Sequence, residues 1–242
     1  MRRIWALLIT AVFVYFLIGI YLPTLPEFGN IDMFRRVSFD YISKSTTREY
    51  QPVEFKHSKG LEEGSANVVT SIVVNYRSFD TLGEVTVLFT AALGVGILAS
   101  IRKRRVEFEE HRVLSVATGI VFPLILLFGA YIFIHGHLTP GGGFPGGTVI
   151  ALGVLLLMLA KNEFKVTDVA KYTEQIAGSG YVLVGLIGMA IAGVFLANFF
   201  PTGIVGELFS AGVVPIVYTL IGFKVGAELS SLVSELREGD RA

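Results

Sequence analysis

The sequence predicts an all-α, polytopic membrane protein of about six transmembrane helices, with an extracytoplasmic segment between spans one and two. Three observations predict it. Residues 113–160 run for 48 positions without an Asp, Glu, Lys or Arg, broken only by the Gly/Pro cluster of 135–147. About 20 apolar residues cross a bilayer as a helix, so this stretch holds two crossings, and the Gly/Pro cluster, which cannot continue a helix, is the turn between them. Second, 52% of the residues are hydrophobic and the mean hydropathy is +0.65, which places the chain in the membrane class. Third, the basic residues alternate from loop to loop, as they do in threaded helices.

Taken in order, the spans fall at about 4–22, 83–101, 113–134, 146–160, 180–200 and 208–229. The first, Ile4–Leu22, follows Met-Arg-Arg and is uncharged. It is long for the apolar core of a signal peptide, and Tyr21–Pro26 offers no small-x-small cleavage site, so a retained span is expected. The fourth is the shortest apolar run and borrows length from its Gly-rich lead-in or is partly shielded by protein. Arg2 and Arg3 precede span one. Arg102, Lys103, Arg104, Arg105 and Arg112 separate spans two and three. Lys161, Lys165 and Lys171 separate four and five, and Arg237 and Arg241 follow six. Loops 135–145 and 201–207 carry no Lys or Arg. This pattern predicts a multi-pass protein of the cell membrane with both termini cytoplasmic. The seven Lys and Arg residues of 23–82 do not count against it, because long loops are largely exempt.

Within that outer segment, residues 23–63 are polar, mixed in charge and without strong periodicity, which suits a small cap or an extended arm. Val68, Ile72 and Phe79, with Val69, Val73 and Tyr76, recur at helical spacing over 65–79, while Asn67, Thr70, Asn75 and Ser78 face the other way. Two readings stand: an amphipathic helix at the membrane surface or against a partner, and an ordinary buried helix edge. The run Arg102–Arg105 reads as a topology signal before lipid recognition. No fixed-period repeat is present, and the chain divides into a two-span block with the outer segment, 1–105, and a four-span block, 112–242.

Composition also excludes. There is no Cys, which rules out disulfides, iron–sulfur clusters and thiolate zinc sites. The formal net charge is zero, so nothing points to nucleic acid. No nucleophile motif, zinc-protease motif, P-loop or dinucleotide fingerprint occurs, so a catalytic role for this chain is not expected, and neither is a cofactor or a metal.

Several polar residues stand out against this apolar background. Glu84 sits where span two enters lipid, after Asp80; a carboxylate there faces a cavity or a partner charge and can exchange a proton or a Na+ ion. Thr81-Leu-Gly-Glu84 also fits a capping box, with Asp80 at the helix dipole. His137, in His135-Gly-His137, suits a proton relay, or a loop histidine facing solvent or a neighbour. Pro140, Gly141, Gly142 and Gly143 build the turn beside it. Lys224 and Glu228, four apart, can pair on one helical face, or Lys224 can reach to the interface. Gly222 and Gly226 form a GxxxG that favours close helix contact. Glu207 reads as a carboxylate at the start of span six.

Two strings resemble a known family. Asn67–Leu88, with Phe79-Asp-Thr-Leu-Gly-Glu84 at its centre, resembles the C-terminal part of the large A subunit of multisubunit Na+/H+ antiporters of the Mrp family, and equally the small subunit that replaces it in membrane-bound hydrogenases. Ser115–Leu124, with Gly136-His-Leu-Thr-Pro-Gly-Gly-Gly-Phe-Pro-Gly-Gly147, resembles the B subunit of the same antiporters. The two matches cover roughly 65–235. Gly119 and Pro145 depart from the pattern, where an Arg-like and an Ile-like residue are expected. The resemblance implies a non-catalytic subunit without a cofactor, working with sister membrane subunits, lipid, Na+ and H+ in an antiport module. Both pieces occur in one short chain, which implies a respiratory-type host such as a membrane-bound hydrogenase or a sulfane sulfur reductase complex. By motif, Asp80, Glu84, His137 and Pro140 are the positions to test. The alternatives are a purely structural assembly subunit, with ions passing elsewhere, and a component of a free-standing Mrp antiporter.

Overall fold

A computed structural model describes residues 2–21, 39, 43, 53–101, 112–161, 164, 166 and 168–238. The basic run 102–105, Lys165, Arg241 and most of the polar segment 23–63 lie outside the described residues. The described chain is helical, with one isolated antiparallel bridge, Lys59 to Ile204. It divides into two compact units, Met1–Asp40 and Tyr41–Ala242.

The first unit contains α1, Arg2–Tyr21. Its apolar side chains, Leu7, Val12, Tyr15 and Phe16 among them, point outward on all sides, as in a helix meant for lipid or for a protein neighbour. In the second unit a short helix α2, Val68–Thr70, runs directly into a π-helical turn, Ser71–Tyr76. Arg77 breaks the run, and then follow α3 (Ser78–Ile101), α4 (Arg112–Ile134), α5 (Gly143–Ala160), α6 (Asp168–Ala192) and α7 (Val214–Glu238). Helices α3 to α7 are each long and apolar enough to cross a membrane.

Spans two, three and four begin within a few residues of their predicted starts; spans five and six do not. Span five begins at Asp168 and ends at Ala192, in place of 180–200, and span six begins at Val214, in place of 208. The cause is that apolar composition and helix do not coincide here. Asp168, Lys171 and Glu174 occupy the first two turns of α6, so charges that end an apolar run do not end the helix. Conversely, the apolar residues Val194–Phe200 are not helical. The chain reverses at Gly193 and Leu196, both at positive φ, and folds back so that the Leu196 amide donates to Gly185 O at 3.3 Å. Glu207 therefore lies in the irregular stretch before α7 and not at a helix start. The 65–79 segment also differs from the amphipathic expectation. Thr70, Ser71 and Ser78 are buried while Val69 and Phe79 are exposed, so the polar side of the segment faces inward.

The second unit is organised around α7, which packs against α3, α4, α5 and α6. It is the least apolar of the five spans, yet Val214, Val217, Tyr218, Ile221 and Val225 are buried in the core. Close approach of α5 makes this possible. A β-carbon on Gly147 would lie 2.7 Å from Gly222 O and 2.8 Å from Gly226 N, so the GxxxG of α7 is a true contact face. Gly146 and Gly129 bring α5 against α4 in the same way: a β-carbon on Gly146 would sit 2.7 Å from Gly129 O.

One end of this unit is closed by a hydrogen-bonded cap. Lys56 N donates to Val205 O at 2.8 Å, Thr202 Oγ1 to Leu61 O at 2.6 Å and Ser210 Oγ to Gly64 O at 2.5 Å. Asn67 Nδ2 donates to Gly136 O and Thr139 O at 3.0 and 3.1 Å, and Thr70 Oγ1 donates to Gly136 O at 2.7 Å. These bonds tie 53–70 to the α4–α5 turn and to the loop before α7.

Gly147→Ala is expected to destabilise the chain by about 1–3 kcal/mol through overpacking of the α5–α7 seam, and Gly147→Leu by more. Gly94→Ala, where a β-carbon meets nothing within 4 Å, serves as the control and should not lower the unfolding temperature in detergent.

Candidate functional site

An ionic cluster lies well inside the bundle. Lys224 is the eleventh residue of the 25-residue α7, near the middle of a span. Its ammonium lies 3.2 Å from Glu228 Oε2 and 3.6 Å from Glu174 Oε1, and 4.9 Å from the centroid of the Phe89 ring. The three charged side chains are 12%, 3% and 16% exposed respectively, in the order Lys224, Glu228, Glu174. The predicted pairing of Lys224 with Glu228 is thus present, and Lys224 does not reach away to the interface. Glu174 is the partner that sequence reasoning misses. A span five beginning at 180 leaves it in a loop. A helical register extended back to Asp168 places it on α6.

The arrangement has a physical logic. Carboxylates in a membrane span are stable only when paired or reachable by water. Here one ammonium serves two carboxylates, and the Phe89 face adds cation–π attraction. Neither Glu228 oxygen makes a hydrogen bond, so Lys224 is its main support. Three helices, α3, α6 and α7, each supply a member. Gly178 lets the lysine stem pass, since a β-carbon there would sit 3.3 Å from Lys224 Cδ.

Near the capped end, the residues of the 80–84 motif separate. Asp80 is exposed and paired with Arg77, whose Nε donates to Asp80 Oδ2 at 2.6 Å. The capping box does not form. Helix α3 already begins at Ser78, and the buried Thr81 hydroxyl donates to Val73 O, a carbonyl freed where the π-helical turn ends. Glu84 is exposed on the second turn of α3, while the phenols Tyr181 and Tyr218 are buried. Tyr181 donates to Ser78 O at 2.9 Å, and Tyr218 OH lies 3.1 Å from Thr70 Oγ1. Thr70, Tyr181 and Tyr218 escape sequence reasoning, because a hydroxyl in an apolar run carries no signal of its partner.

His137 is fully buried, which removes the solvent-facing half of the expectation that it faces solvent or a neighbour. Its Nε2 is 3.4 Å from Glu207 O, and its Nδ1 has no partner. Burial, the largest influence, holds its pKa below the usual imidazole range; the backbone carbonyls of Glu207 and Leu208 oppose this, and His135 reinforces it. The imidazole is therefore neutral near pH 7. His135 is only partly buried and stacks on Tyr131 at 4.3 Å between centroids. Pro140 is exposed at the turn. Gly141 and Gly142 have φ of 155° and 129°, and a β-carbon on Gly142 would lie 2.9 Å from Tyr218 Cζ, so the turn seats on α7 only as glycine. Gly143 opens α5 against Ile221 in the same manner. Among the described residues no three His, Asp or Glu side chains converge as ligands for a metal ion.

Against known proteins, residues 113–231 match the family described as a domain related to the MnhB subunit of Na+/H+ antiporters, and residues 31–122 match the family of the MBH E subunit (MbhE). A chain in the structure of the membrane-bound sulfane sulfur reductase, an archaeal respiratory membrane complex, is 40% identical, with a TM-score of 0.75 over 97% of this chain and 97% of that one. An uncharacterized protein of Methanocaldococcus jannaschii is 30% identical over 198 residues, 68% of this chain and 74% of its own length. The B subunit of the Na+/H+ antiporter of Bacillus subtilis is 38% identical over 78 residues, 32% of this chain and about half, 54%, of its own length. The relatives named for a role are antiporter subunits. The chain belongs to the same family as that chain of the archaeal sulfane sulfur reductase complex, and it carries a match to the MbhE family followed by a match to the MnhB-related family.

Proposed function

We propose that the chain is a non-catalytic subunit of a Na+/H+ antiport module built into a respiratory-type hydrogenase or sulfur-reducing complex of the cell membrane, where it helps form a cation path. Both termini are cytoplasmic in this reading, and Na+, H+, lipid and sister membrane subunits are its partners. The observation that carries the ionic part is the Lys224–Glu174–Glu228 cluster, held inside the bundle by three helices. Such groups in a span belong by default to ion or proton pathways. Glu84, exposed on α3 within hydrocarbon reach, needs water or a sister subunit beside it, which suits a path formed at a subunit boundary. Asp80 and His137 lie toward the capped end and complete the set of candidate positions. Thr81, Pro140, Gly141, Gly142 and Gly143 serve the fold around them.

The polypeptide is read as two blocks, 1–105 and 112–242; the two family matches overlap at 113–122, past the hinge of that reading. A second reading, a sealing role with ions passing elsewhere, is favoured by one observation: the cluster is internally paired, as a structural charge group would be. Membership of a free-standing antiporter is the third.

Three outcomes separate these readings. Glu84→Gln should leave the complex assembled and cut Na+ transport in proteoliposomes by roughly tenfold, a barrier change of about 1.4 kcal/mol; an assembled complex with unchanged transport leaves only the sealing role. Lys224→Met should cost about 3–5 kcal/mol of stability by stranding two carboxylates. Adding Glu174→Gln and Glu228→Gln should restore assembly without restoring transport, whereas restored transport would remove the cluster from the path. Finally, labelling should reach 135–145 from outside the cell and 161–175 from the cytoplasm only, and native purification should bring down redox-cofactor subunits along with antiporter subunits.

A further inference from the structure

Glu63 presents a separate problem. It lies in the cap, outside the spans, and is only 5% exposed. Among the described residues it has no Lys or Arg partner. Asn75 Nδ2 on the π-helical turn donates a hydrogen bond to its Oε1. Beside it sits the Ser71 hydroxyl, fully buried, close enough to act on the carboxylate yet completing no hydrogen bond. The Ser65 hydroxyl, two residues further along the chain, is also buried without a partner. Glu62 is adjacent, and its Oε1 accepts from Tyr76 OH at 3.1 Å.

A buried carboxylate with no counter-charge is costly unless something neutralises it. Among the described residues, Glu62 on its own segment and Tyr76 on the π-helical turn are the titratable groups that face it, and neither supplies positive charge. Burial, ahead of the other influences, raises the Glu63 pKa above the usual carboxylate range. With no basic side chain facing it among the described residues, a proton or a small cation can serve as the neutraliser. The surrounding donors decide the cation class. Carboxylate, hydroxyl and amide oxygens are hard ligands that suit alkali and alkaline-earth ions and not soft metals. One buried negative charge matches a monovalent ion. Asn75 can turn its amide to present Oδ1 in place of Nδ2.

We propose that Glu63, Ser71 and Asn75, with Glu62 at the rim, form a binding site for a Na+ ion that competes with a proton for the Glu63 carboxyl. The choice of Na+ rests on the antiport reading; the site itself rests on the stranded carboxylate and the unpartnered Ser71 hydroxyl. The π-helical winding of 71–76 brings Ser71 and Asn75, four apart, to the same carboxylate. Because 53–70 is bonded to the α4–α5 turn and to the loop before α7, occupancy would be felt across the whole cap.

The test is infrared difference spectroscopy on the purified complex in nanodiscs, NaCl against choline chloride at constant ionic strength, near pH 6. Na+ should deplete a protonated-carboxyl band in the native complex. Glu63→Gln, close in shape, should lack that band. Ser71→Ala, which removes a ligand without altering the charge, should raise the Na+ concentration for half effect by roughly tenfold. A Na+-sensitive band of native size in Glu63→Gln overturns the proposal, as does the absence of any Na+-sensitive band in the native complex. If Glu63→Gln fails to assemble, an unshifted Na+ dependence in Ser71→Ala overturns it equally. No transport is measured, so the outcome is independent of the Glu84 test of the antiport reading.

Discussion

The structure depends on one constraint: α7, the least apolar of the five spans, must be surrounded by protein. Its charges and hydroxyls cannot face hydrocarbon, where each unsatisfied polar group costs several kcal/mol. The remaining helices of the second unit are arranged to meet that need. Helix α5 lies against it through Gly147, Gly222 and Gly226, helix α6 brings Glu174 to Lys224, and α3 brings Phe89. Small residues at the seams do more here than large ones, because lipid tails compete with any apolar side chain but cannot enter a backbone-to-backbone contact.

The same constraint explains the capped end. A span core needs its ends closed, and the loops at this end contain backbone groups without helical partners. Side-chain hydroxyls satisfy several of these carbonyls across 66 to 146 residues of sequence, Thr70 donating to Gly136 O, Thr202 to Leu61 O and Ser210 to Gly64 O. The π-helical turn takes part in this exchange. It frees Val73 O, which Thr81 then takes up, and its Ser71 is buried beside Thr70 of the preceding turn while Val69 stays outside. π-Helical turns are frequent at functional sites, and this one borders the buried Glu63. The outward faces of α3 and α4, rich in exposed Val, Leu, Ile and Phe, fit a chain that works among lipid and sister subunits.

Much of this is legible in the residues. The charge-free stretch 113–160 marks two spans and their turn, and the glycines of 141–143 and 222–226 mark close approach. Lys224 and Glu228 declare themselves by spacing. Other features leave no trace. Composition cannot tell an apolar loop from an apolar helix, so it draws Val194–Phe200 into a span and leaves Glu174 out of one. His137 is indistinguishable from a solvent-facing loop histidine until Glu207 O and the cap close over it. Thr81 matches a capping box in spacing, yet the helix start three residues earlier takes that role away from it.

The sequence by itself determined the solvent: oil for long apolar stretches, water for charged ends, and hence a threaded helical bundle. That follows from transfer free energies summed along the chain, which are local and additive. Tertiary structure alone decided which polar groups meet. Partner choice depends on helix rotation, on the depth at which each helix begins, and on contacts between residues far apart in sequence. The pairing of Lys224 with Glu174 and the stranding of Glu63 beside Ser71 are both consequences of that geometry.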